Sequence, residues 1–385
     1  MKKQILIVYA KSTDEIFNRQ SALGSYIHCL AGILFKNGYG VRINDIEFDA
    51  IPEQQTKSVV AMRPSTFKKF LPAFIKEFVK DKRMYSWLES LYTNIDNGKP
   101  FDEILEFYTY GSDIGYKLSK KYKKSLVLVY DNPVLEEHAF FHPGQLFFKK
   151  RARTVEQLSL LQASSIVVYS DAVKGFLTKK FNRQLPCFIH QNVDYTRFEY
   201  VENKTIDGEI NIGFIGSFLK WHRVDLLLKA FTTLKNEGHN VKLFLLGNGM
   251  DFEYIKQLVK ENKYAASVEM PGFMDGQQLL NYKKKLHIGV MPGSNWYGAP
   301  NKIFEYGAAK MAVVAPDTPT IKSLFDHGKE LLLFKQDDEK DLTAKLRFYI
   351  NDLELLKKHA ESLQVKIKNK YSESITFGFY HQLLQ

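Results

Sequence analysis

Residues 297–305 read Y-G-A-P-N-K-I-F-E and lie between two apolar, strand-like runs in the C-terminal half. Gly298 and Pro300 predict a loop, and Lys302 and Glu305 fall on the first turn of the helix that follows. The start of a helix has N–H groups without intrahelical partners, and an ammonium group beside them makes a seat for phosphate. Glu305 adds a carboxylate that accepts hydrogen bonds from sugar hydroxyls. The chemistry is that of a ligand with phosphate at one end and sugar at the other, as in a nucleotide-sugar.

A second stretch points the same way. After an apolar run at 210–216 comes S-F-L-K-W-H-R-V-D, a turn at Gly216 that feeds a helix and lets the backbone approach a pyrophosphate. Ser217 opens it, and Lys220, His222 and Arg223 are candidate sources of positive charge. Turns of this kind are common, and alone this one selects no ligand.

These residues must be held by regular elements. In the second half, strands expected at 210–216, 241–246, 268–270, 288–291, 312–315 and 331–334 alternate with helices, the first of them at 224–237. Alternation of this type predicts a parallel sheet covered by helices, with its ligand at the carboxyl ends of the strands. The first half alternates less cleanly, with strands expected at 5–9, 41–46, 104–108, 126–130, 166–170 and 187–190 and helices at 25–37, 154–163 and 172–181. The polar stretch 192–209 has no period and is the linker candidate. The expectation is an α/β protein of two Rossmann-like, doubly wound domains facing each other across a cleft. They run over 1–195 and 205–365, with a helical segment at 366–385 packing back on the first.

A chain of 385 residues, 45% apolar and 25% charged, suits two globular domains and not a disordered one. Cys29 and Cys187 lack metal-ligand spacing, so neither a zinc site nor a disulfide framework is indicated and a reduced, cytoplasmic setting is expected. The N-terminal apolar run of six residues before Lys11 is too short for a secretory signal, and no stretch reaches the length of a membrane span. The net charge of +11 favours an anionic partner: a nucleotide, an anionic membrane or nucleic acid.

Three segments in order, G-F-I-G-S-F-L-K-W-H-R-V-D-L-L-L-K-A, L-L-G-N-G and A-P-N-K-I-F-E-Y-G-A-A-K-M-A-V-V-A-P-D-T-P, resemble the family 4 glycosyltransferases of GT-B fold. The first half resembles them more faintly, through S-A-L-G-S-Y-I-H-C-L-A and S-S-I-V-V-Y-S-D-A-V-K. The resemblance implies a retaining hexosyltransferase of the type that builds cell-surface glycans, with a nucleotide-diphosphate sugar as donor and no catalytic metal. It implies that Glu305 holds the donor ribose, that Gly298, Ala299 and Pro300 lie beside the diphosphate, and that Gly24 faces the donor from an N-terminal loop. Lys302 matches the lysine of members reading P-x-K-x-F-E-Y, and is the first candidate for the diphosphate clamp. Asp131, after the strand at 126–130, stands where relatives place a His or Asn near the reacting sugar. It is a candidate contact for sugar or acceptor hydroxyls, or else caps the turn before Pro133.

The chain departs from the family pattern at four positions. Tyr297 replaces the first of two glutamates, Ser217 an arginine and His222 a lysine, and Arg223 stands where W-H-G members have glycine. Tyr297, Ser217 and Arg223 favour a second reading, a non-catalytic GT-B subunit that binds nucleotide or a partner glycosyltransferase.

Two basic, aromatic clusters complete the sequence. Phe67, Phe70, Leu71, Phe74, Ile75, Phe78 and Val79 recur at helical spacing among lysines over 67–83, and F-F-H-P-G-Q-L-F-F-K-K-R-A-R spans 140–153. Each reads either as an ordinary packed face or as a contact with an anionic membrane, which makes a carbohydrate or lipid-linked acceptor and the inner face of a membrane part of the expectation. No nucleic-acid-binding module is recognisable.

Overall fold

The computed structural model describes residues 2–11, 22–50, 72–141, 148–274 and 276–385. The chain divides into two compact units, Met1–Asp194 with Glu373–Gln385, and Tyr195–Ser372.

The first unit carries the strands Gln4–Tyr9 (β1), Gly40–Ile43 (β2), Ile46–Glu47 (β3), Glu103–Phe107 (β4), Leu126–Val129 (β5), Ser165–Val168 (β6) and Cys187–Ile189 (β7), in the order β3-β2-β1-β4-β5-β6-β7. All neighbours are parallel except β2 and β3. Strands covered by helices on both faces need no polar side, so Ile5, Leu6, Ile7 and Val8 of β1 and Leu126, Val127, Leu128 and Val129 of β5 are all buried. Each contributes about 1.5–3 kcal/mol by leaving water.

The strand expected at 41–46 breaks at Asn44, which adopts φ 53°. Its carboxamide accepts from Tyr9 N–H at 2.9 Å and donates to Tyr9 O at 2.8 Å, which closes the carboxyl end of β1 while the chain doubles back as β3. Two further crossover helices are Ile114–Tyr122, which was not expected, and Val134–Phe141, with Glu136 and Glu137 in its first turn. The first buries only Ile114, Gly115, Leu118 and Ser119, too few apolar positions to set a period.

The helix Ala73–Asp96 runs beyond the expected stretch and buries Tyr85, Leu88, Leu91 and Ile95. Phe67, Phe70 and Leu71 of the first aromatic cluster, and residues 142–147 of the second, lie outside the described residues. What is described of the two clusters meets. Phe78 stacks on Phe148 at 5.8 Å, Phe148 meets Tyr85 edge-on at 5.4 Å, and the Arg151 guanidinium lies 4.0 Å over the Tyr85 ring. The last helix, Glu373–Leu383, belongs to this unit and buries Tyr380 in its core.

The second unit has a six-stranded sheet, parallel throughout: Ile210–Ile215 (β8), Val241–Leu246 (β9), Val268–Gly272 (β10), Ile288–Val290 (β11), Ala312–Pro316 (β12) and Leu332–Phe334 (β13), in the order β10-β9-β8-β11-β12-β13. The chain winds outward from β8 to β10, returns, and winds the other way from β11 to β13. The switch therefore falls between β8 and β11, where an open α/β sheet leaves a crevice at its carboxyl end. The helix Asn301–Ala308 follows β11 into this crevice. It packs closely on Leu353–Lys370, since a Cβ at Gly307 would collide with Leu363 and Ile367.

Candidate active site

At the switch point β8 and β11 end side by side, and Tyr306 ties them together. Ile215 N–H donates to its hydroxyl oxygen at 2.9 Å, and the hydroxyl reaches Val290 O at 3.3 Å. The buried ring fits because Gly289 of β11 has no side chain; a Cβ there would run into it.

The turn after β8 is pressed from two sides. Gly216 has φ 152°, and a Cβ on it would collide with the Lys302 side chain. Gly247, at φ 134° after β9, backs directly onto Gly216, so that any side chain there would strike the Gly216 carbonyl. Gly216 N–H to Leu246 O at 2.9 Å and Phe218 N–H to Asn248 O at 2.9 Å hold the two turns together. The glycines of L-L-G-N-G thus serve backbone packing beneath the site.

Lys302 extends from its helix across Gly216, and its Nζ lies 3.1 Å from His222 Nε2. His222 Nδ1 bonds to Ser217 O, and a carbonyl only accepts, so the ring proton sits on Nδ1 and Nε2 offers its lone pair to the ammonium. Burial, with the charge of Lys302 adding to it, pushes His222 down to about 3 against the Ser217 bond, and the ring stays neutral. Burial also pulls Lys302 down to about 8, opposed by Glu305. Among the described residues no carboxylate pairs with Lys302. The result is a desolvated cation held by a neutral acceptor at the start of a helix whose N-cap, Pro300, brings no side-chain cap. That combination can take up an anion.

The other expected clamp residues differ among themselves. Lys220 is exposed in the turn Lys220–His222 and has no side-chain partner among the described residues, and Ser217 is exposed beside it. Arg223 adopts φ 49° at the N-cap of Val224–Asn236 and is already paired twice, with Asp225 at 3.1 Å and with Asp337. Gly298 spends its N–H on Asn295 O at 3.3 Å, and Ala299 and Pro300 complete the approach to the helix. Tyr297 is buried and meets Trp296 edge-on at 5.1 Å.

Glu305 sits one turn beyond Lys302 in an ion network. Its Oε2 is 3.3 Å from Lys283, its Oε1 3.8 Å from Arg197, and Lys283, only 3% exposed, is 2.9 Å from Glu199. A carboxylate has about four lone-pair sites, so acceptor capacity remains for hydroxyls. Lys283, Arg197 and Tyr306 escape sequence reasoning. Tyr306 stands inside the F-E-Y segment, and Lys283 sits in a lysine run that reads as a solvated helix face.

In the first unit, Gly24 is buried in the first turn of the helix Ala22–Lys36 and not in a loop before it, since the helical period of S-Y-I-H-C-L-A extends back through it. Asp131 accepts from Asn192 Nδ2 at 2.9 Å, and Asn192 Oδ1 accepts in turn from Tyr380 at 2.9 Å. Burial pushes the Asp131 carboxyl up to about 6; the Asn192 bond opposes this and the charge of Glu137 adds to it. Among the described residues no three His, Cys, Asp or Glu side chains gather as a metal ion requires, and no helix is long and apolar enough to cross a membrane.

Comparison with known proteins places this geometry. Residues 197–365 match the family described as glycosyl transferases group 1. An uncharacterized glycosyltransferase of Methanocaldococcus jannaschii is 23% identical over 277 residues, 70% of this chain and 65% of that one. The capsular polysaccharide biosynthesis glycosyltransferase CapM of Staphylococcus aureus is 20% identical over 237 residues, 57% of this chain and 61% of that one. The chain thus spans less than two thirds of the length of either relative. Among solved structures, Anabaena HepE in complex with UDP superposes with a TM-score of 0.68 at 14% identity, covering 100% of this chain and 99% of that one, a likeness of fold. The second unit is thus similar to the group 1 glycosyl transferases, and the fold of the chain is GT-B.

Proposed function

We propose that the chain is a retaining glycosyltransferase that moves a hexose from a nucleotide-diphosphate donor to a carbohydrate or lipid-linked acceptor in cell-surface glycan synthesis. The observation that carries this reading is the ammonium of Lys302, unpaired with any carboxylate among the described residues and lodged between Gly216 and the neutral ring of His222. As the bond from sugar to diphosphate breaks, negative charge collects on the leaving oxygens. A cation and amides already in place stabilise it without rearranging, an effect worth about 2.7–4 kcal/mol for one donor of this kind. Glu305 grips the ribose, Lys220 supplies a second cation at the rim, and Asp131 receives sugar or acceptor hydroxyls. The acceptor proton passes to the donor phosphate as it leaves. Support comes from the UDP held by HepE and from the role of CapM in capsular polysaccharide biosynthesis.

Thermal shift with UDP, GDP, ADP, CDP and dTDP, followed by donor hydrolysis without acceptor, tests the reading. One diphosphate is expected to raise the melting temperature well above its monophosphate, because a ligand of the folded state stabilises it. No preference for any diphosphate over its monophosphate would sink it. Tyr297 in place of a glutamate is what favours a nucleotide-binding subunit without activity, and binding without hydrolysis would select that alternative. Phe78, 44% exposed near Lys80, Lys82 and Arg83, supports contact with an anionic membrane, and flotation with anionic vesicles at low salt decides it.

A further inference from the structure

A cavity of about 480 Å³ opens in the first unit among the helices Val134–Phe141, Lys149–Gln162 and Asp171–Phe181. Its charges fall into two sets. Lys180 is paired, 2.6 Å from Glu156 and 3.1 Å from Glu136, and Glu156, 1% exposed, also accepts from the Tyr130 hydroxyl at 2.7 Å. Lys149 and Arg153, one helical turn apart on the cavity wall, meet no carboxylate among the described residues. Arg151 between them lies 3.5 Å from Glu89 and over the Tyr85 ring. Along one helix, then, Arg151 outside the cavity is paired, while Lys150 outside it and the two cations that line it meet no carboxylate among the described residues. Like charges at this spacing repel, and an anion seated between them would relieve the repulsion.

We propose that this cavity binds an anionic saccharide, a sugar ring carrying a carboxylate or a phosphate. Lys149 and Arg153 take the anion through charge-assisted hydrogen bonds. Glu136 and Glu156 keep lone pairs for hydroxyl donors, and Phe181 offers an apolar wall to the C–H face of the ring. The volume falls in the range of small-ligand sites, about 300–1,000 Å³. A bare anion gains nothing from two carboxylates, and a flat bilayer does not enter a concavity. That the bound sugar is part of the acceptor rests on the proposed transferase activity; the binding itself does not.

Titration calorimetry on the full chain with glucuronate, glucose 6-phosphate, glucose and inorganic phosphate tests the site. The two acidic sugars are expected to bind at least tenfold tighter than glucose and than phosphate alone. The exposed double variant Lys149→Ala/Arg153→Ala removes that gap with an unchanged melting temperature and unchanged UDP binding, and Phe181→Ala weakens the acidic sugars more than it weakens phosphate. The proposal fails if glucose binds as tightly as glucuronate, if phosphate alone matches glucose 6-phosphate, or if neither acidic sugar binds. It fails equally if the double variant loses phosphatidylglycerol vesicles but not sugar. Loss of UDP binding by the wild-type chain with retained glucuronate binding would defeat the transferase reading and leave this one standing.

Discussion

Asp131 in the first unit and Lys302 in the second are opposite charges in the same predicament. Each is desolvated, each has a neutral hydrogen-bonding partner, Asn192 or His222, and each is drawn towards neutrality, to about 6 and about 8. Glu305 and Lys283 solve burial the other way, by pairing. A charge held by a neutral partner keeps its Coulombic attraction for a ligand, whereas a paired charge must share it with its counter-ion. The two units differ in how the neutral partner is fixed. His222 is pinned by a carbonyl of its own turn, while Asn192 is pinned by Tyr380 from the far end of the chain.

The largest effect that could break this comparison is expected at Lys302→Met. Donor turnover should fall by about 100- to 1,000-fold, the usual loss for a leaving-group stabiliser. The melting temperature should hold or rise, because a desolvated cation without a counter-ion is removed. Loss of activity through loss of folding, read by circular dichroism, would instead make Lys302 a packing residue.

His222 comes next. His222→Leu removes the acceptor, frees Lys302 to rotate and should cost about tenfold in kcat, whereas His222→Gln, which can still accept at its carbonyl, should cost about threefold or less. Equal losses in the two variants would show that the ring's shape matters and its lone pair does not.

Titration of Lys302 separates affinity from stability. Its folded-state value of about 8 lies below its ordinary 10.5, so between these pH values the unfolded chain binds the proton and the folded chain does not. Folding stability should therefore rise with pH across that window, while affinity for the diphosphate falls as the ammonium is lost. Calorimetric binding of UDP from about pH 7 to 9.5 should weaken in the wild type and stay flat in Lys302→Met. Parallel curves for the two proteins would remove Lys302 from the diphosphate site.

How much of this was legible in the sequence follows from what periodicity reports. The runs I-L-I-V, L-V-L-V and A-V-V-A announce strands buried on both faces, and they are found within a residue or two of where they were read. The sequence order of the Gly216 turn and the Lys302 helix placed them at strand ends. Their contact depends on the strand order β9-β8-β11, which no local pattern encodes. Periodicity tells that a residue is buried and not what it touches. Asn192 and Asp131 are 61 positions apart, and Tyr306 needs the missing side chain of Gly289 across a neighbouring strand. The end of β2 was missed for a different reason: in V-R-I-N-D-I the apolar Ile46 follows Val41 and Ile43 closely enough to read as one strand, although the chain has already turned at Asn44 and Asp45.

The smallest expected effect is at Asp131→Asn, and it bears directly on the comparison with Lys302. The new amide oxygen can still accept from Asn192, so the geometry is kept while the ionisable proton is removed. In the wild type the folded carboxyl holds its proton up to about 6 and the unfolded one only to its ordinary 3.8, so stability falls as pH rises through that interval and the deficit persists above it. The variant lacks the deficit. It should match the wild type near pH 4 and exceed it at pH 7 by about 2 kcal/mol or less, measured by urea unfolding. A variant that is more stable at pH 7 and slower in sugar transfer would mean that the strained carboxylate is kept for the acceptor, the counterpart in the first unit of Lys302 in the second. A variant more stable and equally active would leave Asp131 as a buried link between β5 and Asn192, and the likeness between the two charges would end at their burial.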